Sequence, residues 1–223
     1  TYEDHGARLS PMPGHESTET ALAQHGHEHE GGNPHAYWLL PSNAVAIANT
    51  TLSALKSIDS SRSSVWQRGF EDFVAKVDAY LSLVADADSV HHFSGRKAVV
   101  VFPAEAYVAE TFGIQPVAVL QVEGVLISGN ELLEVQEAMR NGSVSLIIGS
   151  DVAALQTGGE YASQLAEDYG VILVWVRAVF FEGLSDYTSV MTYNLGALVS
   201  RLRRRTGSGP TSAVNCALVV LTS

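Results

Sequence analysis

The sequence predicts an α/β domain in which a parallel sheet of about four strands is flanked by helices. Four short apolar runs, at residues 98–102, 117–122, 144–148 and 171–176, are separated by stretches with helical periodicity. Strands that are continuously apolar are buried on both faces, which is typical of parallel sheets covered by helices. Alternation of such strands with helices predicts crossover connections and therefore a layered α/β architecture.

Two helices precede the first strand. Ser42 or Asn43 caps a predicted helix that runs to about residue 58. A second helix is predicted over residues 63–85, because its apolar side chains recur at intervals of three and four residues. Pro103 then begins a short helix that ends before Gly113, since proline suits a first helical turn and glycine a helix end.

Three further helices are predicted between and after the later strands. Ser128 and Glu131 have the spacing of a capping box, which begins a helix that ends near residue 141. The stretch after the third strand is expected to be interrupted at Gly158 or Gly159 before a helix through residue 168. A terminal helix at 187–205 has a basic end, which complements the helix dipole.

The first 32 residues differ in composition from the rest. They contain five of the eight histidines and few large apolar side chains, so we expect residues 1–32 to form a disordered arm and residues 33–223 the folded lobe. Within the arm, His25, His27 and His29 alternate with other residues on one short stretch, and such imidazoles can surround a transition metal. A solvated linker without a ligand is the alternative interpretation.

Charge and motifs exclude several classes of function. The chain has 13 Lys and Arg against 24 Asp and Glu, a net charge of −11, which disfavours binding to nucleic acid. A single cysteine, Cys216, excludes a disulfide framework and a multi-thiolate zinc site. No dinucleotide, phosphate-loop, zinc-protease or serine-hydrolase motif is present, so we do not expect an enzyme. No apolar run is long enough to span a membrane.

The stretch from Asn33 to Asn43 reads N-P-H-A-Y-W-L-L-P-S-N, with His35 beside a proline and ahead of an aromatic anchor. It resembles the D/N-P-H-x-W-L-x-P-x-N motif of the zinc- and manganese-binding lipoproteins that deliver metal to ABC importers. In that family a histidine-rich acidic loop precedes the motif, as residues 25–30 do here. The stretches 106–114 and 180–195 resemble the helix after the first strand of the family's C-terminal lobe and its metal-carboxylate loop with the closing helix.

The resemblance implies a set of metal ligands. His35 matches the motif histidine, and Glu182 matches the loop carboxylate, which is normally Asp. Phe102 stands where the family has His or Glu, and it cannot bind a metal. Glu105, three residues later, is the nearest substitute. The motif also has one residue more than usual before Trp38.

The resemblance further implies a function. Members have two α/β lobes with the metal between them, and the 32 residues ahead of the motif are too few for such a lobe. We therefore expect a C-terminal lobe of a truncated or degenerate member that binds Zn²⁺ or Mn²⁺ outside the cytoplasm, in the periplasm or anchored at the cell surface, for an ABC permease. An apolar face left by the missing lobe would favour a homodimer. One alternative is a solute-binding-like module that binds another small ligand or a membrane partner without metal. A second alternative is a small α/β enzyme with dispersed catalytic residues, against which the absence of a nucleophile–base motif argues.

Overall fold

The computed structural model describes residues 3–14, 32–179, 183–184 and 186–206. The α-helices within these ranges are α1 (Pro41–Ile58), α2 (Ser63–His91), α3 (Glu105–Thr111), α4 (Gly129–Arg140), α5 (Thr157–Tyr169) and α6 (Tyr187–Thr206). The strands are β1 (Lys97–Val100), β2 (Gln115–Val119), β3 (Gln121–Val122), β4 (Val125–Leu126), β5 (Val144–Ser150) and β6 (Ile172–Val176). The predicted alternation of strands and helices after α2 is confirmed.

The central sheet has four strands in the order β2-β1-β5-β6, and each neighbouring pair is parallel. This arrangement confirms the fold class expected from the apolar runs. The run 117–122 divides between β2 and β3, and β3 forms a small antiparallel hairpin with β4. The hairpin turns at Glu123 and Gly124, both with positive φ. Strands of two residues are too short to have a periodicity, so this hairpin has no recognisable sequence pattern.

The two faces of the sheet build two cores. On one face, alternate residues such as Val100 and Ile148 pack against α2, α3 and α6. On the other face, Val99 and Ile147 pack against α4 and α5. Successive side chains of a strand point to opposite faces, so strands covered on both sides are predominantly apolar. The two cores therefore explain why the strands coincide with runs of mostly apolar residues.

Helix α2 is longer than its apolar periodicity predicts, because it ends at His91 instead of residue 85. The last turns are mostly polar, and a local interaction ends the helix. The Asp88 carboxylate accepts the backbone N–H groups of Phe93 and Ser94 at 2.7 and 2.8 Å, and His92 adopts a left-handed conformation with φ 49°. The Asp88 carboxylate thus provides hydrogen-bond partners for backbone N–H groups just beyond the end of the helix.

The expected interruption at Gly158 or Gly159 is wrong, since both glycines lie inside α5. A Cβ atom on Gly159 would lie 2.2 Å from the carbonyl oxygen of Ala153. The absence of a side chain therefore lets the first turn of α5 approach the preceding 3-10 turn, Ala153–Leu155. These glycines serve close packing and do not break the helix. The capping box of Ser128 and Glu131, by contrast, is confirmed at the start of α4.

The predicted arm of residues 1–32 needs correction for residues 3–14, which pack against the lobe. Ala7 and Ser10 are buried. The Arg8 backbone N–H donates to Asn43 Oδ1 at 2.7 Å, and Asn43 Nδ2 donates to the Arg8 carbonyl oxygen at 2.8 Å. These long-range contacts fix a segment whose composition alone suggests mobility. Residues 15–31 lie outside the described part of the chain.

Residues 207–223, with Cys216, also lie outside the described residues. Among the helices that the structure describes, none combines the length and the apolar character needed to cross a membrane.

Candidate functional site

The candidate site lies at the carboxyl edge of the central sheet, where the loops after β1, β5 and β6 come together. The register pairs Val100 with Ile148 and Ile148 with Val174, so these three strands end side by side. In open parallel sheets ligands bind outside this edge, because the loops that follow neighbouring strands leave a crevice there. Side chains from several of these loops can reach into the crevice. His35, Glu105 and Glu182 are the ligands expected from the folded lobe.

His35 is held at this edge through Asn33, which is fully buried. Asn33 Nδ2 donates to the carbonyl oxygen of Pro103, in the loop after β1, at 2.8 Å. Asn33 Oδ1 accepts the backbone N–H of His35 at 3.0 Å. An Asn side chain that accepts the N–H two residues later forms an Asx turn. Ala36 then adopts a left-handed conformation with φ 54°, which leads the chain into the 3-10 turn Tyr37–Leu39.

The imidazole of His35 has a nitrogen without a partner. Nε2 is buried and makes no hydrogen bond to the described part of the chain. Leaving a buried polar atom unsatisfied costs about 1–3 kcal/mol, so such atoms in native structures call for an explanation. A neutral imidazole nitrogen with a free lone pair is a ligand for Zn²⁺ and related metals. The donor chemistry of His35 therefore fits a metal at this edge.

Glu105 is fully buried at the start of α3 and connects two strand ends. Its Oε1 accepts the backbone N–H of Ser150 at 2.8 Å, and its Oε2 accepts that of Phe102 at 2.5 Å. Burial raises the pKa of this carboxyl to about 7, and the hydrogen bonds from Ser150 and Phe102 oppose the shift. Glu105 thus holds the ends of β1 and β5 together, a role that its sequence position does not reveal. Its role as a metal ligand stays a prediction.

Phe102, at the position where a ligand was expected, is half-buried and packs with the core on the α4 and α5 side of the sheet. An aromatic ring in this position contributes apolar contacts and no lone pair.

Sequence reasoning missed an ion pair at the same edge, between Asp151 after β5 and Arg177 after β6. Arg177 Nη1 lies 2.6 Å from Asp151 Oδ2, and each side chain is 24% exposed. The guanidinium also lies over the ring of Tyr193, 5.5 Å from its centroid. The hydrogen bond from Arg177 to Asp151 raises the pKa of the guanidinium. Asp151 Oδ1 is buried and has no hydrogen-bond partner among the described residues.

Helix capping explains only one member of the Ser150 and Asp151 pair. Ser150 Oγ accepts the backbone N–H of Ala153 at 3.2 Å, as a cap does. Asp151 instead faces Arg177. The ion pair of Asp151 and Arg177 has one signal in the sequence: each of the two residues directly follows a strand, and the two strands are neighbours in the sheet.

Four of the expected ligands lie outside the described residues: Glu182 and the arm histidines His25, His27 and His29. Over the ranges that the structure describes, no three His, Cys, Asp or Glu side chains are grouped closely enough to hold a metal ion. Asp186, the next carboxylate after Glu182, accepts hydrogen bonds from Thr188 and Ser189 at the start of α6, which lower its pKa.

Comparison with solved structures identifies similar folds, and a search of curated protein sequences finds no match. The chain is similar to the SBP FpvC from Pseudomonas aeruginosa in complex with Mn²⁺, with 18% identity and a TM-score of 0.60 over 78% of this chain and 64% of that one. A zinc-bound ZnuA deletion mutant gives 16% identity and a TM-score of 0.64 over 88% and 66%. The Mn-bound periplasmic metal binding protein from Candidatus Liberibacter asiaticus gives 17% and 0.61 over 81% and 68%.

At these identities the likeness establishes the fold. The chain spans about 64% of the length of FpvC and 62% of that of another ZnuA structure. The sequence profile of one protein family matches residues 5–201, which is most of the chain. The chain therefore belongs to the ZnuA family, described as zinc-uptake complex component A, periplasmic.

Proposed function

We propose that this chain binds Zn²⁺ or Mn²⁺ outside the cytoplasm, in the periplasm or at the cell surface, and delivers the ion to an ABC permease in the membrane. The observation that carries the proposal is the buried Nε2 of His35, which has no hydrogen-bond partner in the described residues. Asn33 ties the backbone of His35 to the loop after β1, at the carboxyl edge of the sheet. Membership of the ZnuA family supports it, as do similar folds whose structures contain Mn²⁺ or zinc.

In the proposal, His35 and Glu182 are the ligands that this lobe contributes. An imidazole nitrogen and a carboxylate oxygen suit Zn²⁺, and both also occur on Mn²⁺. Two protein ligands bind a metal less tightly than the four of a closed site, so we expect weak affinity from this chain alone. Glu105 is the further candidate ligand, and ligation would have to compete with the two backbone N–H groups that its oxygens accept.

The histidines His25, His27 and His29 are proposed to capture metal and raise its concentration near His35. Acidic residues accompany them in the sequence, and the whole chain has a net charge of −11, which attracts cations. The action is binding and release without catalysis.

A homodimer is part of the same proposal. Trp38 and Val179 are 41% and 48% exposed, and they line a cavity of about 140 Å³ together with side chains of α6. A second copy that covered this groove would remove apolar surface from water. Sedimentation velocity is expected to detect a dimer at micromolar concentration, and a monomer at every concentration would contradict this part of the proposal.

One observation favours a second candidate, a module that kept the fold and binds another ligand without metal: Phe102 occupies an expected ligand position. Titration calorimetry with Zn²⁺ and with Mn²⁺ distinguishes the two. We expect His35→Ala to weaken binding at least about tenfold, because one of few ligands is lost. His5→Ala, at an exposed histidine outside the motif, is the matched control and should bind as the native chain does. No binding heat from the native chain, or equal affinities of the native chain and His35→Ala, would favour the second candidate.

A further inference from the structure

The hydroxyl of Tyr107 lies where two distant segments of the chain meet, and the proposed function assigns it no role. Tyr107, on α3, is fully buried. Its hydroxyl donates to the carbonyl oxygen of Asn33 and accepts the backbone N–H of Ser10 at 3.2 Å. Burial raises the pKa of this hydroxyl, so at neutral pH it keeps the proton that it donates. A single side chain thus satisfies buried backbone groups of two segments that are distant in sequence.

Asn33 connects this hydroxyl to His35. The backbone N–H of Asn33 donates to the carbonyl oxygen of Ser10 at 2.8 Å, so the segments before and after residues 11–32 are joined directly at Tyr107. The Asn33 side chain is bonded at one end to Pro103 and at the other to the backbone N–H of His35. The backbone of His35 therefore takes its position from Asn33, and Asn33 takes its position from Tyr107, Ser10 and Pro103.

Removing the hydroxyl of Tyr107 should therefore displace the backbone at Asn33. The Asn33 carbonyl and the Ser10 N–H would be left buried and unpaired, and a buried group without a partner favours any movement that restores one. Because a metal ligand must be held within fractions of an ångström of its working geometry, a small displacement of the Asn33 turn would weaken metal binding.

We propose that Tyr107 is a positioning residue for His35, which it places through Asn33 for metal binding. This inference rests on the proposed function of His35. Tyr107 itself does not touch the metal. Tyr107 can therefore affect metal affinity only when the imidazole of His35 is present. A general contribution of Tyr107 to stability would not depend on His35.

A double-mutant cycle tests the proposal. Tyr107→Phe keeps the buried ring and removes the hydroxyl, and we expect it to lower the affinity for Zn²⁺ about 10- to 100-fold, as loss of outer-shell partners does. In the His35→Ala background the same change should have no further effect. Tyr161→Phe, on α5 at the opposite face of the sheet, is the control and should leave the affinity unchanged. Equal losses in both backgrounds would overturn the proposal.

A second measurement does not depend on metal. The His35 amide donates to Asn33 Oδ1, so hydrogen exchange of this amide in the metal-free protein reports on the Asn33 turn. Exchange at His35 is expected to accelerate at least about tenfold in Tyr107→Phe while exchange at Ile147 in β5 stays slow. Unchanged exchange at His35 would overturn the proposal.

If the native chain binds no metal, the proposed function fails while this measurement still decides whether Tyr107 positions His35. Should Tyr107→Phe fail to fold, NMR of the native chain tests the same bond. The hydroxyl proton of Tyr107 is expected to exchange slowly with water, because it is buried and donated to the Asn33 carbonyl oxygen. Fast exchange of this proton with water would overturn the proposal.

Discussion

Replacing Glu105 with glutamine should remove a stability change that the native chain undergoes between acid and neutral pH. Burial raises the pKa of Glu105 from its ordinary 4.5 to about 7. Between these values Glu105 keeps its proton in the folded chain after the unfolded chain has released it, so the contribution of Glu105 to stability is greatest below pH 4.5 and falls as pH rises towards 7. At about 1.4 kcal/mol per pKa unit, the free energy of unfolding falls by about 3 kcal/mol across this window.

Urea unfolding of the native chain and of Glu105→Gln at a series of pH values measures this effect. From about pH 4 to about pH 8 the native chain should lose about 3 kcal/mol of stability relative to Glu105→Gln. The contributions of other titrating groups cancel in this difference between the two chains. Glu134→Gln, at an exposed glutamate of α4, is the control and should give a flat difference. A flat difference for Glu105→Gln as well would refute the reasoning.

Three further predictions concern the stability of the fold, each measured by urea unfolding. Gly159→Ala should destabilise the chain by at least about 1–3 kcal/mol, because its Cβ would meet Ala153 at 2.2 Å, whereas Gly129→Ala has open space and should change stability by less than about 0.5 kcal/mol. Equal effects of these two variants would contradict the packing role of Gly159. Ser128→Ala removes the N-cap of α4 and should cost about 1 kcal/mol, and a neutral result would contradict the capping box. Ile147→Ala, at a fully buried position of β5, should cost about 2–5 kcal/mol, and a loss below about 1 kcal/mol would contradict its core position.

The sequence predicted the parts of the fold that depend on local patterns. The apolar strands and the capping box of Ser128 are local, and the structure confirms them. The end of α2 was missed because its last turns are polar, and the Asp88 carboxylate sets the end. The packing of residues 3–14 was missed because it depends on contacts with Asn43 and Tyr107, which lie 35 and 97 residues away from their partners.

The candidate site was predictable to the extent that its residues sit in a short motif. His35 is a candidate ligand because of its neighbours in the sequence, and the structure adds that its Nε2 lacks a partner in the described residues. Its role as a metal ligand stays a prediction. The pairing of Asp151 with Arg177 needs the neighbouring positions of β5 and β6, and the bond from Tyr107 to Asn33 joins residues 74 positions apart. Such contacts are properties of the fold, and no local pattern contains them.

The most direct test of metal binding at His35 is anomalous diffraction at the zinc absorption edge from crystals grown with Zn²⁺. We predict a peak about 2.1 Å from Nε2 of His35, the usual distance between zinc and a histidine nitrogen. A peak at other residues, with Nε2 of His35 left without a metal neighbour, would contradict the account.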